Sequence, residues 1–206
     1  MRTFIILLSL IFAPLAARAD TAILAGGCFW CVEANFESVP GVSDVISGYT
    51  GGHVDNPTYD DVTSETSGHF EAVKITFDPA RVSYADLVRL FLHSTDVLDD
   101  TGQFCDKGES YRSAIFVKDA GQRAAAEAGI AQAEAELGRK VVTRILPAQT
   151  FWKAEAYHQN YYKGTGWVIT RRGPKRQADA YAFYRKACGR DQRVKALWGD
   201  KAEFLH

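Results

Sequence analysis

Cys28 and Cys31 stand in Gly26-Gly27-Cys28-Phe29-Trp30-Cys31, where a short apolar segment hands over to one with helical spacing. A thiol at such a junction meets the free N–H groups and positive dipole end of the helix. Both favour the thiolate, the attacking form, and settings of this kind bring a cysteine from about 8.5 to roughly 3.5–7.5. Gly26 and Gly27 are expected to leave room for a substrate to approach the backbone. If the helix starts at Cys28, Cys31 lies on the same face, where a second thiol resolves whatever forms on the first. Glu71 is the second reactive group. It stands at the mouth of an alternating segment, on the face of Val73, Ile75 and Phe77. A carboxyl at the end of an apolar face is partly desolvated, stays protonated and suits a general acid. Phe29 and Trp30 make an apolar slot beside the thiol. Tyr49, Tyr59 and Tyr111 bring hydroxyl donors from segments expected to surround it.

The chain holds two further cysteines, Cys105 and Cys188. Four cysteines are too few for a disulfide scaffold but enough for one redox or metal site. A zinc-stabilised binding module would need all four, yet Cys105 and Cys188 lack the spacing of a second Cys-x-x-Cys. His53, His69, His93 and His158 show no pair four residues apart, so no metal is expected. A thiol–disulfide oxidoreductase built on Cys28 and Cys31 is the competing enzyme, and it would require neither Glu71 nor the tyrosines.

The elements that must position these groups read as follows. Thr21–Gly26, Val42–Tyr49, Phe70–Phe77, Ser113–Val117 and Val141–Leu146 have strand character. Cys28–Ser38 repeats apolar residues at Phe29, Val32 and Phe36, and Ser83 with Asp86 starts a helix whose stripe is Tyr84, Leu87, Val88 and Phe91. Ala120–Leu137 is an Ala-rich helix closed by Gly138. Residues 51–68 predict a long functional loop. Phe151–Tyr162 and Ala178–Cys188 predict helices, and 164–176 an irregular stretch. The order β-α-β-β-α-β, then α-β and a helical tail, predicts an α+β fold: a ferredoxin-like split βαβ two-layer sandwich with an irregular and helical C-terminal extension, 163–206, carrying Cys188.

With 47% hydrophobic and 24% charged residues, the 206-residue chain has globular composition, and its net charge of −1 gives no reason to expect nucleic acid or an anionic membrane as partner. Arg2, the apolar run Phe4–Ala13 and Ala17-Arg18-Ala19 have the form of a signal peptide, 1–19, too short to span a bilayer. One domain, 20–206, follows, exported to the periplasm or beyond and expected to be a monomer.

Longer motifs sharpen the chemistry. Gly27-Cys28-Phe29-Trp30-Cys31-Val32-Glu33 resembles the signature of the peptide methionine sulfoxide reductase A family. Pro40-Gly41-Val42, Gly48-Tyr49-Thr50-Gly51-Gly52, Asn56-Pro57-Thr58-Tyr59, Gly68-His69-x-Glu71-Ala72-Val73, Tyr111-Arg112-Ser113-Ala114-Ile115 and Ala154-Glu155-x-Tyr157-His158-Gln159 follow in the family's order. The likeness covers about residues 22–162 and implies the same sandwich. It implies reduction of the S epimer of methionine sulfoxide, free or in oxidised proteins, as damage repair. Cys28 would be the nucleophile, Glu71 the acid, and Tyr59 and Tyr111 the donors to the sulfoxide oxygen. Phe29 and Trp30 would hold the S-methyl group, Asp106 would lie near the substrate backbone, and Tyr161 would be a further site tyrosine. A Cys28 sulfenic acid would condense to a disulfide, recycled by an external dithiol of the thioredoxin type, with no bound cofactor. The chain departs from the family at Cys31, often Gly, and in Phe104-Cys105-Asp106, where Gly-Asn-Asp is usual. Cys31 is the favoured resolving thiol, being nearest along the helix. Cys188 comes second, as a relay, and Cys105 third, as buried filler.

Overall fold

A computed structural model describes residues 19–206; all of the expected signal peptide but Ala19 lies outside the described residues. The body is built from β1 (Asp20–Gly26), α1 (Phe29–Glu37), β2 (Val42–Thr50), α2 (Tyr59–Thr63), β3 (Phe70–Phe77) and α3 (Tyr84–Leu92). Next come two short strands, β4 (Gly102–Gln103) and β5 (Asp106–Lys107), then β6 (Ser113–Val117), α4 (Ala120–Leu137), β7 (Arg144–Pro147) and β8 (Trp152–Lys153). The C-terminal extension holds a hairpin, β9 (Trp167–Thr170) and β10 (Gly173–Arg176), and two helices, α5 (Gln177–Ala187) and α6 (Arg190–Trp198). The main sheet runs β7-β6-β1-β3-β2-β8. Its four central strands are antiparallel in the order of a split βαβ sandwich, and only β7 joins in parallel, beside β6.

Period two divides the sheet into unequal faces. Leu24, Val73, Ile75, Phe77 and Ile115 point to one side, where Phe29, Val32 and Phe36 of α1, Leu87, Val88 and Phe91 of α3, and Ala126 and Ala133 of α4 cover them. Each fully buried Phe or Leu there contributes about 2 kcal/mol. Ala25, Phe70, Ala72, Ala114 and Phe116 form a thinner layer on the opposite side, roofed by Leu146 and Phe151. Glu71 shares the helix-covered face and is buried. Caps follow local sequence in three helices. Ser83 and Asp86 close a reciprocal capping box on α3, Thr58 and Asp61 do so on α2, and Asp119 accepts from Gln122 N–H on α4. Gly138 ends α4 in the left-handed region.

Four expectations need correction. The loop 51–68 contains α2, because the Thr58–Asp61 box nucleates one turn. Val141–Thr143 are not strand; only Arg144–Pro147 pair with β6. Phe151–Tyr162 is not a helix. Trp152 and Lys153 pair with Tyr49 and Gly48 instead, the Gln159 side chain bonds Ser47 and Ala154 backbone groups, and Asn160 at φ 55° breaks the run into two short 3₁₀ turns. Tertiary pairing at a sheet edge outweighs helix propensity here. Within 164–176, Trp167–Thr170 and Gly173–Arg176 form a regular hairpin, joined through Arg171 and Arg172 with Gly173 at φ 91°.

The two glycines before Cys28 hold packing rather than open space. A Cβ on Gly26 would lie 2.8 Å from a ring carbon of Phe91, and one on Gly27 2.5 Å from Cβ of Gln103, with φ at +78°. The expectation that they admit a substrate is therefore replaced: they let α3 and the buried Gln103 close against the turn that presents Cys28. Gly27→Ala should cost about 2–4 kcal/mol of unfolding free energy, from a left-handed backbone plus overpacking. Gly173→Ala, also left-handed but with nothing within 4 Å, should lose only about 1–2 kcal/mol. Urea denaturation of both variants measures the difference, and equal losses would contradict the packing role of Gly27.

Candidate active site

Cys28 caps α1 with its backbone and has no side-chain capping bond of its own. The first orphan N–H of that helix, on Phe29, donates instead to Glu71 Oε2 at 3.0 Å. One bond therefore brings the end of β3 to the start of α1, and thiol and carboxyl to one point. Burial pushes the Glu71 carboxyl up to about 8, against the Phe29 N–H, which favours the carboxylate; negative charge at Asp106 and Cys31 adds to the rise. Glu71 is consequently a protonated acid near neutral pH. The Tyr111 hydroxyl beside them draws both the Glu71 carboxyl and the Tyr59 phenol down in part. Burial raises both phenols, so both remain donors.

Each of the two thiols shifts the other. The neighbouring Cys28 thiol brings Cys31 down to about 6, helped against burial by the Arg190 and Arg185 guanidiniums. The neighbouring Cys31 thiol, then burial and the charges of Cys31, Glu71 and Asp106, holds Cys28 up. The guanidinium charge comes from the C-terminal extension. Arg185 and Arg190 are both buried; Arg185 bonds Asn35, Tyr181, Asp191 and the Phe204 carbonyl, and Arg190 donates to the Gly26 carbonyl.

These groups line a cleft of about 660 Å³. Of the residues singled out from sequence, Cys28, Phe29, Trp30, Cys31, Tyr59, Glu71, Asp106 and Tyr111 all border it. Asp106 is raised by burial. Tyr161 is buried behind the wall, stacked on Trp30 at 3.7 Å and 3°. Tyr49 lies wholly in the core, its hydroxyl on Glu155. His158 is also buried: its Nδ1 accepts from the Trp30 indole N–H at 3.0 Å, and burial lowers it to about 4, so it stays neutral and steadies the indole. Cys105 and Cys188 also border the cleft and are joined as a disulfide. That corrects the reading of Cys105 as buried filler, since it is exposed, and takes two thiols from the set a zinc site would need. Phe104, Arg171, Tyr181, Tyr184, Arg185 and Arg190 also border the cleft; the last five carried no sequence signal, because only the packing of the hairpin, α5 and α6 turns them inward.

Residues 20–201 match the family model described as peptide methionine sulfoxide reductase. A Caulobacter vibrioides protein named peptide methionine sulfoxide reductase MsrA 2 is 48% identical over 97% of this chain and 100% of its own length. A Rhizobium meliloti protein of the same name is 47% identical over 97% of this chain and 93% of its own. The solved methionine sulfoxide reductase A of Corynebacterium diphtheriae superposes with a TM-score of 0.64 at 29% identity, covering 70% of this chain and 74% of that one.

The raised carboxyl has a consequence for stability. The folded chain keeps a proton on Glu71 that the unfolded chain releases near the ordinary value of 4.5. The contribution is therefore whole below about 4.5 and is lost as pH rises toward about 8. Glu71→Gln is neutral throughout and still accepts from Phe29. Across that window the difference in unfolding free energy should move toward the variant by about 1.4 kcal/mol per pH unit. Denaturant titrations at pH 5, 7 and 8 measure it, and a pH-independent difference would refute the burial argument.

Proposed function

The chain belongs to the peptide methionine sulfoxide reductase family and is an oxidoreductase that reduces methionine sulfoxide; from that premise we propose how its residues divide the reaction. The observation that carries the assignment is the Phe29 N–H bond to Glu71, which sets a protonated carboxyl beside the Cys28 thiol. A sulfoxide is a poor electrophile until its oxygen receives a proton, so nucleophile and acid must act together. Phe29 and Trp30 seat the S-methyl group. Cys31 takes the proton from Cys28, and the Cys28 thiolate attacks the sulfoxide sulfur. Glu71 gives its proton to the sulfoxide oxygen while Tyr59 and Tyr111 hydrogen-bond it. The S–O bond breaks, methionine leaves as thioether, and Cys28 holds the oxygen as sulfenic acid. Asp106 stands beside the substrate backbone, and Tyr161 steadies Trp30 by stacking.

Cys31 then attacks the sulfenic sulfur, releasing water and closing a Cys28–Cys31 disulfide. Two electrons must return from outside. Cys31 is 7% exposed, whereas Cys105 is on the surface. The Cys105–Cys188 disulfide therefore suits a relay: an external dithiol of the thioredoxin type reduces it, and its thiols reduce the inner pair by exchange. We read the specificity as the S epimer and the setting as export. The export reading rests on Arg2, the apolar run and Ala17-Arg18-Ala19, and accords with β1 beginning at Asp20.

Glu71→Gln should lower kcat/KM for N-acetylmethionine sulfoxide by about 10²–10⁴-fold, the span of general-acid catalysis, while disulfide exchange with a dithiol proceeds unchanged. Equal loss of both would favour a plain thiol–disulfide oxidoreductase. Separated epimers test the stereochemistry: turnover confined to R, or absent with both, would overturn the assignment. In a single turnover Cys31→Ser should stop rapid intramolecular disulfide formation. A disulfide formed at full rate in that variant would move the resolving role to Cys188.

A further inference from the structure

The hairpin β9–β10 belongs to no step above, and its two faces differ. On the inner face Val168 packs in the cluster that holds Cys28 and Trp30. The outer face is bare. Trp167 is 65% exposed and Ile169 93% exposed. The register sets Arg176 opposite Trp167 and Pro174 opposite Ile169, so these four side chains share that face. The Arg176 guanidinium lies 4.3 Å from the Trp167 ring centre. A solvent-facing surface of Trp, Ile and Pro with stacked Arg has the composition of an interaction site rather than of ordinary surface.

Charge says what it meets. From Gly164 to Gln177 the chain carries Arg171, Arg172, Lys175 and Arg176 and not one acid, although the whole protein is at −1. None of the four joins an ion pair among the described residues; the neighbouring Lys163 is paired with Glu37. Position says when it meets it. Arg171, at the tip of the hairpin, borders the cleft above Cys28, and Tyr184 borders it on the adjoining helix. A methionine sulfoxide in a polypeptide must reach down to Cys28 while the flanking chain stays at the rim, and Arg171 puts the hairpin tip at that rim.

We propose that the outer face of the β9–β10 hairpin is a docking surface for the polypeptide flanking the oxidised methionine, and that it selects unfolded segments rich in Asp and Glu. The proposal rests on the reductase reading of the cleft. Apolar side chains of the segment cover Trp167 and Ile169, and its carboxylates meet Arg176 on the same face and Arg172 at the turn. The surface touches no reacting atom, so it acts on KM for polypeptides and leaves small substrates alone. Its attraction is screened by salt.

The test compares three probes with the full chain. One is an unstructured Asp/Glu-rich peptide with a single methionine sulfoxide, the second its Lys-rich counterpart of equal length, and the third N-acetylmethionine sulfoxide. The acidic peptide should exceed the basic one in kcat/KM by about tenfold or more at low salt, and the gap should close toward 0.5 M salt. Arg172→Glu, and separately Ile169→Ser, should raise KM for the acidic peptide by about fivefold or more with N-acetylmethionine sulfoxide unchanged. Equal rates on the two peptides, or variants that leave the acidic peptide untouched, would overturn the docking proposal alone. Failure of the unaltered chain on N-acetylmethionine sulfoxide would overturn the reading of the cleft and this proposal with it.

Discussion

The bond from the Phe29 N–H to the Glu71 carboxyl is the contact on which the site depends. Every α-helix begins with orphan donors, and three helices here satisfy one from their own sequence. The helix behind Cys28 does not; its first donor is met by a carboxyl that arrives from the third strand. The same contact satisfies the helix, holds a buried acid in place and sets that acid beside the thiol. Burial then decides the protonation state. The N–H favours a carboxylate, desolvation favours the acid, and desolvation wins, leaving a value of about 8. An exposed carboxyl in the same bond would be ionised and could give no proton.

The C-terminal extension supplies the opposite charge. Arg185 and Arg190 are both buried; Arg185 is held by Asn35, Tyr181, Asp191 and the Phe204 carbonyl, and Arg190 by the Gly26 carbonyl. Their field adds to the neighbouring Cys28 thiol in favouring negative charge on Cys31. The extension also brings Cys188 to Cys105 and Tyr181 and Tyr184 to the cleft. Acid on one side, cations on the other and an aromatic floor between them make a polarised slot that suits a dipolar S–O group.

Local patterns carried much of the framework. Alternation at Val73, Ile75 and Phe77 placed Glu71 on the covered face, and Ser83 with Asp86 marked a helix start to the residue. The pattern failed where contacts from far along the chain compete with local preference. Phe151–Tyr162 has helical composition, but its backbone is claimed by the edge of β2 and by the Gln159 side chain. The hairpin within 164–176 was masked by its glycines and proline, although Trp167, Ile169 and the residues between them alternate in exposure as a strand should. Gly26 and Gly27 were legible as special but not for the right reason, since what fills the space beside them comes from α3 and Gln103.

Composition and spacing alone carry the nature of the reagents: two thiols three residues apart at a strand-to-helix junction, one carboxyl at the end of an apolar strand face, and tyrosines nearby. They also carry the order of the central sheet, because period-two and period-3.6 patterns are short-range properties that side-chain hydrophobicity writes directly into a chain. Packing alone decides which cations reach the thiol pair, that Cys105 and Cys188 are partners, and that Arg171, Arg185 and Arg190 face the cleft. Desolvation and Coulomb energy depend on distances between groups up to 164 residues apart in the chain, as in the bond of Arg190 to Gly26. No local pattern encodes such distances, so the electrostatics that make these residues reactive exist only in the folded molecule.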